Sequence, residues 1–287
     1  MSYADKLFKD MCNDILENGT TTEGQKVRPK WPDGTPAYTI KKFGVINRYD
    51  LRKEFPAITL RRTPIKSAID EILWIYQKKS NNIKDLKPHI WDEWADENGS
   101  IGKAYGYQIG LKNIQRKIDG EVVYMDQMES VLYDLKNAPF GRRIMTNLMN
   151  FADLHEMNLQ PCCYSCTFNV TDEGGDKLVL NMILNQRSQD VLAANNWNVC
   201  QYAALLMMVA QVSNMIPGEL VHVIADAHIY DRHVPIIKDL ISSEEYPVAP
   251  TVTLDPDIKR FEDFTTDSFK IENYVWVNES PKIEIAI

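Results

Sequence analysis

Three of the chain's five cysteines crowd into Cys162-Cys163-Tyr164-Ser165-Cys166, a pattern that raises nucleophilic, redox and metal chemistry together. Cys162 follows Pro161 at the start of what reads as a strand, where proline fixes the local backbone and a side chain can face a cavity. A thiolate there is a nucleophile, although a buried inert thiol is the commoner fate of such a residue. Cys163 and Cys166 form a CxxC. On a regular strand those positions point to opposite faces, and no second CxxC completes a zinc site.

Arg187 gives Cys162 its company. It lies in Gln186-Arg187-Ser188-Gln189-Asp190 at the end of the partner strand, and a guanidinium near a thiol favours the thiolate. The same cation can offer a fork of hydrogen bonds to a phosphate. Arg142-Arg143, Arg28 and Arg61-Arg62 add a scattered basic set, each readable on its own as surface charge. Glu71 is framed by Ala68, Trp74 and Ile75, and a desolvated carboxylate gains a raised pKa and acid–base usefulness. A place at the edge of the apolar stripe, facing water, is the alternative. Asp226, His228 and Tyr230 share one strand face, with His233 on the following helix, which suggests hydrogen bonding more than a metal cluster. Asn198 can cap the helix that follows it. Trp91, Trp94 and Trp197 are either core or the walls of a flat aromatic pocket.

The elements that must position these groups follow from periodicity. Residues 3–18 read as an amphipathic helix, followed by a polar loop to Pro36. Thr63-Pro64 predicts a helix start with a cap residue and proline at the first helical position. Ile65, Ile69, Ile72, Leu73 and Tyr76 then recur at helical spacing. Residues 80–120 are loop-rich and 121–137 predict a helix. Tyr164, Cys166, Phe168 and Val170 alternate with Cys163, Ser165, Thr167 and Asn169. The turn at 172–176 leads into Leu178, Leu180, Met182 and Leu184, which makes a hairpin. An apolar helix at about 198–215, a strand near 219–230 and a helix near 231–243 follow. Strands and helices mix without βαβ alternation, so the class is α+β, and with no linker in sight residues 1–287 read as one domain.

With 44% hydrophobic and 25% charged residues the composition is that of a soluble globular protein. The opening residues lack a signal peptide pattern, no apolar run reaches the roughly 20 residues of a membrane span, and an odd, clustered cysteine set fits a reducing compartment. The expectation is a cytoplasmic protein. A net charge of −8 argues against a general nucleic-acid binder, but a few converging arginines can still hold a small phosphate.

Taken in order, the segments resemble thymidylate synthase along nearly the whole chain. They are Glu71-Ile72-Leu73-Trp74, Ile90-Trp91-Asp92-Glu93-Trp94 through Gly99, Ala104-Tyr105-Gly106, Arg142-Arg143, Leu159-Gln160-Pro161-Cys162, Gln186 to Asp190, Asn198 with Gln201-Tyr202-Ala203, Asp226 to Tyr230, and the closing Ala286-Ile287. The resemblance implies a mixed β-sheet with flanking helices, two such sheets packing back to back in a homodimer. It implies a methyltransferase of nucleotide biosynthesis: dUMP becomes dTMP, with 5,10-methylenetetrahydrofolate as carbon donor and reductant and no metal.

The same resemblance implies the roles. Cys162 adds to C6 of the uracil, so that C5 attacks the folate-borne carbon. Glu71 manages protons around O4 through water, and Tyr105 helps remove the C5 proton. Arg28, Arg187, Ser188, with Gln186 beside them, and the partner subunit's paired arginines at 142 and 143 hold the nucleotide and its phosphate. His228 and Tyr230 hold the 3′-hydroxyl, Asn198 pairs with the uracil edge and Asp190 with the folate ring. Trp91, Ala194 and Trp197 wall the folate pocket, which Ile287 closes.

The chain departs from the family pattern at four places. Cys163 stands where histidine is usual, Arg61 stands for a lysine near the folate tail, and Lys26-Val27-Arg28-Pro29 replaces Arg-Thr-Gly. Ala193-Ala194-Asn195-Asn196-Trp197 replaces Leu-Gly-Leu-Pro-Phe at equal length. The last change keeps a dUMP hydroxymethylase open as an alternative, in which water rather than hydride finishes the reaction. Asn198, with a donor and an acceptor, suits uracil, whereas a dCMP enzyme would carry Asp. A catalytically dead nucleotide- or RNA-binding homologue is the third reading, against which the intact nucleophile stands.

Overall fold

The computed structural model describes residues 2–287. Helix α1 (Tyr3–Asn18) leads into a short β1 (Thr20–Thr21) and the long β2 (Thr39–Asp50). Helix α2 (Ile65–Tyr76) is followed by a loop-rich stretch holding α3 (Gly106–Gly110) and a hairpin of β3 (Ile114–Ile118) and β4 (Glu121–Met125). Then come α4 (Gln127–Asn137), β5 (Met145–Asn147), β6 (Cys163–Thr171), β7 (Val179–Gln186) and β8 (Gln189–Asp190). Helix α5 (Asn195–Val212), β9 (Ile216–Tyr230), α6 (Val234–Ser242) and the pair β10 (Thr251–Leu254) and β11 (Phe269–Glu272) complete the chain.

The main sheet runs in the order β1-β2-β9-β7-β6-β5, with β8 added beside β9. It is antiparallel except where β9 lies parallel to β7 and β8, so the α+β class holds. Helices α1 and α5 pack on the sheet, and α2 lies against α5 and reaches the sheet through Tyr76. Helix α5 is buried almost all round, with Tyr202, Leu205, Leu206, Met208 and Val209 at 2% exposure or less, as expected of a helix with no polar face. The outer face is open: Phe43, Ile46, Met145 and Ile183 remain exposed along neighbouring strands.

Several boundaries differ from the sequence reading. The 121–137 segment is not one helix, because Glu121–Met125 pairs with Ile114–Ile118. Asp126 ends that strand and starts α4 with a reciprocal capping box to Glu129, the signal that marks the true start. At α2, Pro64 is itself the N-cap position and Thr63 caps nothing, its buried hydroxyl having no partner. Asn198 does not cap α5; the helix begins at Asn195, and Asn198 lies within its first turns with its amide bonded to the Ala194 carbonyl at 2.8 Å.

The alternation in β6 also breaks. A bulge between Cys163 and Ser165 places Cys163 opposite Gln186 and Ser165 opposite Asn185. The extra residue turns Cys163 into the core beside Cys166, both 3% exposed or less, instead of onto opposite faces.

Candidate active site

Cys162 sits immediately before the bulge, half-buried at the end of β6. The end of β7 clamps it. Arg187 takes the Cys162 carbonyl at 2.9 Å on its own amide. Its guanidinium binds the Pro161 and Gln160 carbonyls at 3.0 and 2.7 Å and reaches the Cys162 sulfur at 3.7 Å. Burial pushes the Cys162 thiol above its ordinary pKa, while the charges of Arg187 and the exposed Arg28 pull it back. The arginine effect runs as the sequence suggests, but burial outweighs it.

Tyr105 reaches the cysteine from another direction. Its phenol oxygen accepts from the Cys162 amide at 3.2 Å, and its backbone takes a φ of +48°, uncommon for a bulky residue. Gly106 lets the chain bend there, since a Cβ on it would lie 2.1 Å from the Ser80 carbonyl oxygen. Tyr105 then packs edge-on to Trp91 at 4.8 Å.

Glu71 is only 5% exposed, which removes the water-facing alternative. Burial raises its pKa to about 7 against the opposing pull of its hydrogen bonds. Trp91 Nε1 donates to one carboxyl oxygen at 2.9 Å and Trp197 Nε1 to the other at 2.5 Å. Trp91 is therefore both core and ligand to the carboxylate, and Trp94 packs against it at 5.7 Å.

The polar side of the pocket is a chain of amides. Gln186 donates to the Ser188 carbonyl at 3.0 Å and to Asn198 Oδ1 at 3.2 Å, and Asn198 Nδ2 donates to Gln201 at 2.9 Å. His222 Nε2 and the Cys163 thiol meet Gln186 Oε1 at 2.7 and 3.2 Å. Burial drops His222 to a pKa of about 3, so it is neutral and donates through Nε2. Each Asn198 amide atom keeps one free valence for a ligand. His228 Nδ1 pairs with Asp226 at 2.8 Å, and Asp226 pairs with Lys41 at 2.8 Å, an arrangement that leaves the other imidazole nitrogen to the pocket. Tyr230 stacks edge-on to His228 and Trp31, and burial raises its phenol to about 12.

Asp190 Oδ1 accepts from the Ala193 amide at 3.0 Å, and the Asp190 carbonyl accepts from Ala194 at 2.9 Å. Ile287 exchanges both backbone bonds with Lys30, at 2.7 and 3.0 Å, beside Arg28 in sequence. Arg61 takes another course than its resemblance implies. It is 6% exposed and bound to the Leu192 carbonyl, turned inward to brace the 190–194 turn instead of being offered to a folate tail. Arg142 and Arg143 are exposed, line a cleft of about 390 Å³ with Arg116, Asp134 and Phe140, and join none of these groups within one subunit.

Sequence reasoning gave Gln201 and His222 no role. Their signal lay in spacing: Gln201 is one helical turn beyond Asn198, and His222 falls on the core face of β9 with Leu220 and Ile224. A separate cleft of about 720 Å³ between Leu132, Lys177, Met215 and Phe261 contains none of these site residues.

Comparison with known proteins converges on one group. The family model for thymidylate synthase matches residues 6–287. Thymidylate synthase 1 of Bacillus subtilis (strain 168) is 40% identical over 278 residues, and that of Bacillus licheniformis 41% over 278, each covering 96% of both chains. The solved structure of thermostable thymidylate synthase A from Bacillus subtilis superposes with a TM-score of 0.91 over the full length of both chains at 39% identity.

Proposed function

The chain belongs to the thymidylate synthase family, and from that premise we propose how its own residues carry out the methylation of dUMP. The cosubstrate 5,10-methylenetetrahydrofolate supplies the one-carbon unit and the hydride. The indole walls of Trp91 and Trp197, with one Asp190 oxygen left free by its turn, suit a flat ring bearing hydrogen-bond donors. Orphaned buried atoms in the same quarter, Gln189 Oε1 and Asn196 Nδ2, fit further polar contacts there or to water.

One observation carries the reading: the Cys162 sulfur stands 3.7 Å from the Arg187 guanidinium at the mouth of the Gln186–Asn198 chain. A bound phosphate on Arg187, Arg28 and Ser188 places the uracil edge against Asn198, which donates to O4 and accepts from N3. His228 and Tyr230 take the 3′-hydroxyl. The Cys162 thiol passes its proton to water, its sulfur forms the bond to C6, and the C5–C6 π pair shifts into an enolate with charge on O4. Glu71, half-ionised near neutrality, exchanges protons there through water. Tyr105, fixed by the Cys162 amide, lies beside the carbon whose proton must leave.

Residues 1–287 act as one unit in a reducing cytoplasm, where all five cysteines stay free. Two open sheet faces pack back to back, burying Phe43, Ile46 and Ile183, and Arg142 and Arg143 complete the other subunit's phosphate site. Ile46→Glu is expected to give monomers in sedimentation and to abolish turnover with it.

The test of the reaction uses dUMP tritiated at C5 with methylenetetrahydrofolate. Tritium release with dTMP and dihydrofolate is the expected result. Hydroxymethyl-dUMP with tetrahydrofolate, or no release, overturns the proposal.

A further inference from the structure

His233 touches two parts of the site that are far apart in sequence. It is 1% exposed, in the turn between β9 and α6. Its Nε2 lies 2.9 Å from the Glu284 carbonyl oxygen, and a carbonyl only accepts, so Nε2 carries a hydrogen. Its Nδ1 has no hydrogen-bond partner and faces Asp190 Oδ1 at 3.6 Å, an ion-pair separation. That oxygen already accepts from Ala193. Both ring nitrogens therefore look at acceptors, and a neutral imidazole has only one N–H to give.

The remaining neighbours do not change this balance. Asp231 adds a negative charge from the same turn while accepting from Trp31 Nε1 at 3.0 Å. Tyr230 and Trp31 pack edge-on to the ring at 5.6 and 5.4 Å, and Tyr230 is neutral. Arg232 spends its charge on Glu284 at 2.9 Å and on Asp33 at 2.5 Å.

We propose that His233 is a positioning residue that works as an imidazolium, tying residues 284–287 to the Asp190 turn and so holding the folate side of the site together. The folate part rests on the function proposed above; the tether does not. The Glu284 contact and the Lys30–Ile287 pair fix the segment beside Arg28. Once the ring loses its proton, a bare nitrogen must face either the Glu284 carbonyl or the Asp190 carboxylate. One of those contacts then becomes repulsive. Burial disfavours the cation, but Asp190 and Glu284 outweigh it, and His233 keeps its proton above the ordinary 6.5. The sign follows: a raised folded-state pKa means the tether is complete at low pH and lost as pH rises through it.

The test is nitrogen NMR of the protein with labelled histidine, the signal being assigned by its loss in His233→Gln. An imidazolium signature titrating above 6.5 is expected. Hydrogen-exchange protection of the Lys30 and Ile287 amides, normalised to intrinsic rates, should fall as pH rises through the His233 titration, above the ordinary 6.5. It should be flat in His233→Gln, which can still donate to the Glu284 carbonyl but carries no charge. The KM for methylenetetrahydrofolate should rise several-fold over the same range, and that for dUMP, held also by Arg187, Ser188, His228 and Tyr230, by less. A neutral ring below pH 6.5, or protection that ignores the titration, overturns the tether. A tether that titrates while the folate KM stays flat overturns its link to the folate side and leaves the synthase reading standing.

Discussion

Cys162, Gln186 and His228 stand on or beside adjoining strands of one sheet, and each is held in part by that sheet or its strand ends, through the Arg187 amide, His222 and Asp226 respectively. Glu71, Trp91 and Trp197 come instead from a helix, a loop and the first turn of another helix, and they meet only through the two indole bonds to one carboxylate. The nucleotide half is thus fixed by the ladder, where a shift of one side chain requires a shift of the sheet. The folate half is fixed by side-chain contacts between elements that can move separately. Two of the four departures from the family pattern lie on each side of that line, with Cys163 and the residues around Arg28 in the first half. The 193–197 replacement and Arg61 fall in the second half, whereas Cys162, Arg187, Asn198 and His228 match.

Removing the nucleophile tests the ladder half most severely. Cys162→Ser is expected to cut turnover by at least about 10³-fold, the scale for loss of a covalent catalyst. Binding of dUMP, measured calorimetrically, should survive, because Arg187 is held by carbonyls and not by the sulfur. Near-normal turnover in that variant would exclude covalent catalysis.

Glu71 tests the other half. Glu71→Gln is expected to lower kcat by about 10²–10⁴-fold, the range for a general acid–base group. The limb of the kcat–pH profile near 7 should vanish with it. Stability gives the sign independently. The folded-state pKa lies near 7 against 4.5 unfolded, so the folded state binds the extra proton and loses stability as pH rises from about 4.5 to 7. That loss is on the order of 3 kcal/mol at 1.36 kcal/mol per unit. The difference in denaturation midpoint between Glu71→Gln and the parent should therefore grow in the variant's favour from pH 5 to pH 8.

How much was legible follows the same division. Cys162 and Arg187 stood out by their company and by the family resemblance, not by alternation, whereas the hairpin could be read because alternation fixes where a strand side chain points. The bulge at Cys163–Ser165 could not, since one extra residue leaves no mark on composition. Strand β2 went unread because its charged and glycine positions break the pattern and its apolar Phe43 and Ile46 face outwards. Arg61 matched by position, yet its direction is set by the Leu192 carbonyl, a contact across 131 residues that no local spacing encodes.

Trp197→Phe separates the two indoles. It keeps the aromatic wall but deletes the 2.5 Å donor to Glu71, and a hydrogen bond to a charged group is worth about 1.5–3 kcal/mol. The carboxylate then keeps Trp91 and the weaker pull of Gln201, so the near-neutral limb should move upward by roughly one to two pH units. An unmoved limb would mean that Trp91 and Gln201 set the carboxylate without it.

The smallest effect belongs to the ladder half again. Lys41 and Asp226 are 43% and 32% exposed at their side chains, and such pairs contribute less than about 1 kcal/mol. Asp226 also has His228 on its other oxygen, and His228 is held by β9 itself. Lys41→Met should therefore raise the KM for dUMP by no more than about fivefold and leave kcat alone. A larger rise, or a fall in kcat, would show that His228 depends on its charge chain more than on its strand, and the contrast between the two halves would fail at the point where it is most easily measured.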